Sequence, residues 1–423
     1  MMLNEETMEA PKPTLASVLQ RDNLNASWRA VKANRGAAGP DGKDIPTTLS
    51  HLKANWDRIE TKLTAGTYKP GPVRAVSIPK SNGGTRYLGV PNVQDRLIQQ
   101  AIHQKLSEYC ERFFSEHSYG FRPNRSAHDA VRAAQEYVRE GKGYVVDIDL
   151  KSFFDEVNHD KLMHLLRAYV DDKSLKRLIG KYLRAPVQNA DGTRQKRGQG
   201  TPQGGPLSPL LANIYLDPLD KELEQRGLPF VRYADDIAIY VKSKRSAERV
   251  LNSVIDWIET NLKVPVNREK SRSGPTEKSV LLGFRIDAGG VISTAPKSVE
   301  RLKSQVRELW EARQNLTTGG LREQWRRFIS GWWNYYQLAE RQWGVTDLSG
   351  WIRRHMRKCF WLRWRTWRGR RNALKRLGIR GESLGICYTG KGSWPIAASP
   401  VLHRALSNKT LERYGFILPW NFV

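Results

Sequence analysis

The chain has 423 residues, and its 70 Lys and Arg against 43 Asp and Glu give a formal charge of +27 at pH 7. A hydrophobic content of 39 % is enough to bury a sizeable core in two or three domains, which excludes a wholly disordered chain. The excess positive charge favours a polyanionic partner, and because no run of about 18 apolar residues occurs, nucleic acid is favoured over a membrane.

The three cysteines are odd in number and far apart, which excludes a disulfide framework and a paired-cysteine zinc site. The eight histidines show no metal-ligand spacing, so no zinc is expected. The first 14 residues are acidic and interrupted by prolines, unlike a signal peptide. We therefore expect free thiols in a reducing cytoplasm.

The first third of the chain alternates helical and hairpin patterns. Residues 15–68 are helical in pattern, with a turn-rich interruption at 35–42. Residues 73–91 alternate apolar and polar side chains around Ser-Asn-Gly-Gly, which predicts a β-hairpin with a flexible tip. A helix over 95–114 precedes the irregular segment 119–123, and another helix ends near residue 140.

The middle of the chain contains two short strand patterns that carry carboxylates. Residues 144–150 are rich in β-branched side chains, and their alternation directs Asp147 and Asp149 to the same side. In residues 230–241 two apolar half-strands flank Asp235 and Asp236, which predicts a tight hairpin with carboxylates at its apex. Helical segments and a Gly/Pro-rich loop lie between the two strands, so this part of the chain is expected to be α+β.

From residue 296 the pattern changes to three helices, with residues 317–320 expected to end the first one. Residues 296–378 hold 20 Lys and Arg against 6 Asp and Glu, together with 9 of the 14 Trp. The tryptophans are interpreted mainly as a helical core. The third helix carries a stripe of like charges, which repel one another unless a polyanion compensates them. The stripe comprises Arg354, Arg357, Lys358, Arg365 and Arg368.

The carboxylate patterns suit one chemistry in particular. Nucleotidyl transfer uses two divalent cations about 3.5 to 4 Å apart, and Mg²⁺ prefers oxygen ligands. Asp149, Asp235 and Asp236 would supply such ligands if the two strands pair side by side. Taken alone, the Tyr-x-Asp-Asp pattern is equally compatible with a solvated hairpin turn.

An ordered series of motifs favours the catalytic interpretation. They are a fingertip block at 74–91, Tyr-Gly-Phe-Arg-Pro at 119–123, a first carboxylate block at 147–155, a nucleotide-pocket block at 200–209, Tyr-Ala-Asp-Asp at 233–236, and Leu-Gly-Phe at 282–284. With Phe-Ile-Ser-Gly-Trp-Trp-Asn-Tyr-Tyr at 328–336, they make the chain resemble the reverse transcriptases encoded by bacterial group II introns.

The resemblance implies a right-hand polymerase, with fingers and a ferredoxin-like palm followed by an α-helical thumb or maturase domain. The expected domains are an N-terminal extension with the helical part of the fingers at 1–70, fingers at 71–140, palm at 141–295, thumb or maturase domain at 296–380, and the tail of the maturase region at 381–423. No His-Asn-His endonuclease pattern follows, so we expect the compact class that lacks that domain.

The resemblance also implies roles for individual residues. Asp149, Asp235, Asp236 and the backbone carbonyl of Leu150 would hold two Mg²⁺ ions, with Mn²⁺ as an alternative because it accepts the same oxygens. The residues implied at the nucleotide are Lys80, Arg86, Phe153, Phe154 and Gln203, with Phe154 preferred over Phe153 beneath the deoxyribose. Those implied at template or RNA are Arg74, Arg354, Arg357, Lys358 and Arg365.

A few polar residues near these motifs receive plainer interpretations. Lys270 resembles a palm lysine that assists pyrophosphate release, but a plain surface lysine is the preferred interpretation. Asp155, Asp217 and Asp220 are interpreted as caps, because Asp is common after strands and in the first turn of helices.

The expected function is reverse transcription of an RNA template from a DNA or RNA primer with deoxynucleoside triphosphates, together with binding of a cognate intron RNA that assists splicing and mobility. One alternative is a free-standing reverse transcriptase in DNA repair or phage defence. A second is a splicing chaperone that no longer polymerises. The resemblance places the protein in the bacterial cytoplasm, associated with the nucleoid when it acts on DNA.

Overall fold

The computed structural model describes residues 11–79, 85–311, 316–341 and 343–421. The chain folds as two compact units that divide between Pro275 and Thr276. Both helices and strands build the first unit, whereas helices dominate the second, so the expected α+β class with a helical second part is confirmed. No helix of the described ranges is long and apolar enough to cross a membrane.

The described residues of the first unit form ten α-helices. They are α1 (Leu15–Val18), α2 (Arg21–Ala33), α3 (Ile45–Thr64), α4 (Val93–Cys110), α5 (Ala127–Arg139), α6 (Phe153–Glu156), α7 (His159–Leu165), α8 (Lys173–Leu183), α9 (Ser208–Gln225) and α10 (Lys244–Trp257). Side-chain caps explain several starts: Asp44 accepts a hydrogen bond from the Thr47 backbone N–H at the start of α3, and Ser126 forms a reciprocal capping box with Asp129 at the start of α5.

In the part of the first unit that the structure describes, eight strands form two sheets. They are β1 (Val73–Pro79), β2 (Thr85–Val90), β3 (Tyr144–Asp149), β4 (Val187–Gln188), β5 (Arg194–Gln195), β6 (Phe230–Tyr233), β7 (Asp236–Val241) and β8 (Arg272–Pro275). One sheet has the order β2-β1-β4-β5, and the other has the order β6-β7-β3-β8. The second sheet is antiparallel throughout, and helices α5 and α10 pack against it.

The second unit begins with a small hairpin and continues as helices. Its elements are β9 (Phe284–Ile286), β10 (Ile292–Thr294), α11 (Pro296–Leu309), α12 (Thr318–Tyr336), α13 (Trp343–Thr346), α14 (Leu348–Arg363), α15 (Trp367–Arg376), α16 (Ser393–Ala397), α17 (Pro400–Ala405) and α18 (Asn408–Arg413). Tryptophans from different helices meet in its core, where the Trp310 and Trp325 rings lie 5.4 Å apart. Phe416, from the end of the chain, packs against Trp310 in the same core.

The expectation that residues 317–320 end the first helix of this unit is wrong. Helix α11 already ends at Leu309, and the Thr317 hydroxyl accepts a hydrogen bond from the Gly320 backbone N–H at 3.1 Å. Thr317 is therefore the N-cap that begins α12, because a cap side chain satisfies an otherwise unpaired donor of the first turn.

All three cysteines of the chain are buried and form no disulfide. Burial raises the thiol pKa of Cys110, Cys359 and Cys387, the pKa of Cys359 to about 11. At neutral pH these thiols stay protonated, so they behave as small apolar side chains of the core.

Candidate active site

Strands β3 and β7 bring the predicted carboxylates together. They pair antiparallel, and their register places Asp149, at the end of β3, directly opposite Asp236, at the start of β7. Ala234 and Asp235 form the turn between β6 and β7, with Ala234 in the left-handed region at φ +56°. Acidic side chains from two distant parts of the chain therefore meet at one end of the sheet.

Burial and neighbouring like charges both act on the carboxylates of this cluster. The Asp236 side chain still contacts solvent, but partial burial and the carboxylates of Asp235, Asp149 and Asp147 raise its pKa to about 6. One cation lies close, since the Lys270 ammonium is 3.4 Å from a carboxylate oxygen of Asp149. Lys270, interpreted from the sequence as a plain surface lysine, therefore lies at the site.

The donor chemistry of the cluster fits hard divalent cations, which take carboxylate oxygens as ligands. Within the described ranges, no three Asp, Glu, His or Cys side chains are already arranged to hold a metal ion. The support for a metal site is therefore the concentration of negative charge around Asp236, which a bound cation would offset.

A cavity of about 480 Å³ opens beside the carboxylates. Predicted site residues that line it are Asp149, Leu150, Phe153, Phe154, Gln203 and Asp235. Tyr87, Asn267 and Lys270 line it as well. Tyr87 and Asn267 were not singled out from the sequence, because a tyrosine on a hairpin strand and an asparagine in a loop carry no distinctive signal.

The two neighbouring phenylalanines have different surroundings. Phe153 is almost completely buried, and its ring packs 6.0 Å from the ring of Tyr215 in the core. Phe154 lines both the first cavity and a second one of about 510 Å³, which Phe121 and Asp235 also line. Of the two rings, Phe154 is the one placed between two open spaces.

The Gly/Pro-rich loop over residues 198–206 is held against strand β2. The Gly89 backbone N–H donates to the Gln203 carbonyl at 2.6 Å. Gly204 has φ +120°, and a Cβ at that position would lie 2.6 Å from the Gly89 carbonyl oxygen, so a side chain there would force the backbones apart. This close approach fixes Gln203 at the cavity.

The fingertip residues are only partly accounted for. Lys80 lies outside the described residues, and for Arg86 the backbone alone is described, paired with Ile78 across the β1–β2 hairpin. The Arg74 guanidinium donates to the Ala38 carbonyl at 2.8 Å. Arg74, expected at the template, therefore holds the turn-rich segment after α2.

A buried polar network beneath the Asp235–Asp236 turn was missed by sequence reasoning. Arg232 is fully buried and donates to Asp220 at 2.6 Å, to Asn213 at 3.0 Å and to the Ala234 carbonyl at 3.0 Å. The interpretation of Asp220 as a cap is wrong, because it lies within α9 as the fully buried partner of Arg232. The sequence feature that could have indicated a buried ion pair is the arginine within the apolar strand segment Phe-Val-Arg-Tyr.

Asp217 is also not a cap. It is buried within α9, where the Tyr169 hydroxyl donates to its carboxylate at 2.9 Å and Lys221 pairs with it one turn later. Both Asp217 and Asp220 therefore stabilise the interior of the first unit.

The Tyr-Gly-Phe-Arg-Pro segment supports the same turn from the other side. A Cβ on Gly120 would lie 2.2 Å from the Ala234 backbone nitrogen, so only glycine allows this approach. The Gly120 carbonyl accepts a hydrogen bond from Asn213 at 2.9 Å. Asn213 therefore links this segment to Arg232 and, through it, to the turn.

In the second unit, the prediction that Arg357 faces RNA is wrong. Its side chain is buried and donates to the Leu406 carbonyl at 3.0 Å and to Asn408 at 3.2 Å, because residues near the chain end cover this part of α14. Arg354 is half-buried, stacks on the Trp394 ring at 4.1 Å and donates to the Trp394 carbonyl. Of the predicted stripe, Lys358 is half-buried, and Arg365 and Arg368 are exposed.

Two family models match the chain. Residues 78–286 match the reverse transcriptase (RNA-dependent DNA polymerase) family, and residues 299–378 match the group II intron, maturase-specific domain. The first match contains every element of the carboxylate site, and the second contains most of α11 and all of α12 to α15.

Curated relatives agree with these matches. Protein YkfC of Escherichia coli (strain K12) is 30 % identical over 349 residues, which cover 71 % of this chain and 91 % of YkfC. Group II intron-encoded protein LtrA of Lactococcus lactis subsp. cremoris is 33 % identical, covering 63 % of this chain and 42 % of LtrA. The putative COX1/OXI3 intron 1 protein of Saccharomyces cerevisiae is 31 % identical, covering 65 % of this chain and 32 % of that protein.

This chain therefore spans nearly all of YkfC but less than half of the other two relatives. The resemblance read from the ordered motifs is confirmed: the chain belongs to the reverse transcriptase family and carries the maturase-specific domain of group II intron proteins.

Proposed function

We propose that this protein is an RNA-directed DNA polymerase that extends a DNA or RNA primer along an RNA template with deoxynucleoside triphosphates. The observation that carries the proposal is the β3–β7 register, which sets Asp149 opposite Asp236 beside a cavity lined by Phe154 and Gln203. A cavity of about 480 Å³ suits a ligand of nucleotide size.

Asp149, Asp235 and Asp236, with the Leu150 carbonyl, are the residues that would hold two Mg²⁺ ions. When bound, the ions lower the pKa of the primer hydroxyl and neutralise charge on the transferred phosphate. Mn²⁺ would satisfy the same oxygen ligands. Lys270, at 3.4 Å from Asp149, keeps a positive charge beside the carboxylates and orients that side chain.

The walls of the cavity select the substrate. Phe154 lies under the sugar position and excludes a ribose 2′-hydroxyl by its bulk, while the buried Phe153 supports it from the core. The resemblance of the motif at 74–91 assigns Lys80 and Arg86 to the triphosphate, Lys as a point charge and Arg as a bidentate hydrogen-bond donor.

The second unit binds RNA, and in an intron-encoded protein this RNA is the cognate intron, whose splicing and mobility the protein assists. The match of residues 299–378 to the maturase-specific domain supports this assignment, as does the excess of 20 basic over 6 acidic residues in 296–378. A polymerase role is favoured over a pure splicing chaperone because the chain keeps all three carboxylates.

A paired substitution separates catalysis from RNA binding. Changing Asp235 and Asp236 together to Ala abolishes extension of oligo(dT) on poly(rA), because the carboxylate cluster is removed, while affinity for RNA stays close to that of the unmodified protein. A matched control, Asp57→Ala, removes an exposed carboxylate of α3 and leaves extension unchanged.

Chelation of divalent cations stops extension by the unmodified protein in the same assay. Extension that persists in the Asp235/Asp236 variant would refute the proposal. Loss of RNA affinity together with extension would mean that the pair maintains the fold.

A further inference from the structure

Two exposed aromatic rings lie against each other at the surface of the second unit. Trp367, at the start of α15, is 43 % exposed, and Tyr388, which follows in the 3₁₀ turn at 381–388, is 61 % exposed. Their ring centroids are 5.3 Å apart at an interplanar angle of 39°. Isolated exposed aromatic residues are common on protein surfaces, but two in contact form a continuous apolar surface that water solvates poorly.

This aromatic pair lies at the end of a strongly basic segment, which contains Trp367 and ends seven residues before Tyr388. Residues 348–381 contain 12 Lys and Arg and no Asp or Glu. The Arg368 guanidinium lies 5.1 Å from the Trp367 ring centroid, and Arg365 and Arg371 are exposed nearby in sequence. Across the described ranges, none of these three arginines has a carboxylate within ion-pair distance.

We propose that the Trp367–Tyr388 pair is a stacking platform for unpaired bases of RNA. Stacking on aromatic rings and contact of the flanking phosphates with Arg are the two interactions that single-stranded nucleic acid requires. A base placed on the exposed Tyr388 ring covers apolar surface, and its neighbouring phosphates reach Arg365, Arg368 and Arg371. This inference rests on the proposed RNA-binding role of the second unit. It adds that the Trp367–Tyr388 pair binds unpaired nucleotides.

The combination of exposed rings and positive charge selects this occupant over others. A protein partner with an acidic patch would satisfy the arginines but would not need two adjacent exposed rings, and a duplex would satisfy them while keeping its bases stacked internally. Only an unpaired nucleotide uses the ring surface and the positive charge together. An acidic protein partner and duplex RNA are therefore the occupants that the experiment must reject.

The test compares single-stranded and duplex RNA of about 12 nucleotides, each carrying a fluorescent label, by fluorescence anisotropy with the full chain. Tyr388→Ala lowers affinity for the single strand about tenfold, the size of one base–aromatic stacking interaction, and leaves duplex affinity unchanged. Tyr388→Phe keeps the ring and keeps the affinity. Tyr414→Ala is the matched control, because Tyr414 is exposed and lies near Arg413 but has no aromatic neighbour in contact among the described residues.

Salt dependence separates stacking from charge. Tyr388→Ala does not change the slope of log affinity against log salt concentration. Replacing Arg365, Arg368 and Arg371 by Ala reduces the magnitude of that slope by roughly 0.7 for each phosphate contact that is lost. A 2-aminopurine base in the single strand, whose fluorescence falls on stacking, is quenched by the unmodified protein and not by Tyr388→Ala.

Three results would overturn the platform: single-strand affinity unchanged by Tyr388→Ala, an equal loss with Tyr414→Ala, or an equal loss for duplex. Extension of oligo(dT) on poly(rA) is measured in parallel. If the unmodified protein does not extend a primer, the proposed polymerase function fails while the stacking result stands on its own.

Discussion

Arg232→Met tests whether the buried network beneath the carboxylates positions them as well as stabilising the fold. The substitution removes the three donors that reach Asp220, Asn213 and the Ala234 carbonyl, and it leaves the Asp220 carboxylate buried without its partner. Both members of the ion pair are completely buried, so solvent cannot take the place of the missing guanidinium.

The size of the effect follows from that burial. Leaving one charge of a buried pair without its partner costs about 3–5 kcal/mol of stability, which for a unit of this size lowers Tm by roughly 6–20 °C. A second substitution, Asp220→Leu, removes the orphaned charge, and the double variant is expected to regain most of the lost stability. The Ala234 carbonyl still lacks its donor in the double variant, because nothing replaces the guanidinium at the turn.

The assay is primer extension together with thermal unfolding. In the double variant we expect a Tm near that of the unmodified protein but a kcat lower by about 10²-fold, the usual cost of a catalytic group displaced by about 1 Å. A stable double variant with full kcat would refute the positioning role, and an unchanged Tm in Arg232→Met alone would refute the burial argument. The KM for the nucleotide is expected to change little, because Arg232 does not line the cavity.

Three further predictions concern the turn and the cavity. At pH 8 without divalent cations, Asp236→Asn raises the free energy of unfolding by about 1 kcal/mol once solvent screening is allowed for, measured by thermal unfolding. The folded-state pKa of Asp236 is raised to about 6, so the charged form costs stability above that pH, and the gain disappears below about pH 4. Phe154→Val raises ribonucleotide incorporation roughly 10- to 100-fold, measured as the kcat/KM ratio of ribo- to deoxynucleotide. Gly120→Ala lowers the free energy of unfolding by about 1–3 kcal/mol and removes most of the activity, because its Cβ meets the Ala234 nitrogen. The control Gly143→Ala, which has open space around it, changes neither stability nor activity.

The parts of the fold that sequence could predict were those with a strong local pattern. Alternating β-branched residues identified β3, and two apolar half-strands around Asp235 identified the β6–β7 hairpin. The pairing of β3 with β7 followed only from the resemblance and the requirement that carboxylates converge, since no local pattern specifies which strands are neighbours.

Two of the errors share one physical origin, which is burial by other segments of the chain. Arg357 has the helical spacing of an exposed stripe, but residues near 406 cover it, and periodicity within α14 contains no information about that contact. Asp220 resembles a common helix-terminal Asp until Arg232, 12 residues later, is seen to pair with it. The error at Thr317 has a different cause: a Thr followed by glycines between two helices is compatible with the end of the first helix and with the start of the second.

The complete burial of the native thiols has a practical consequence. Because Cys110, Cys359 and Cys387 are inaccessible to maleimide reagents, one cysteine introduced at an exposed position becomes a unique attachment point for a dye. Lys391, exposed three residues beyond Tyr388, is a suitable position for such a label. A fluorophore there would report the arrival and departure of RNA in real time while the three native cysteines stay in place.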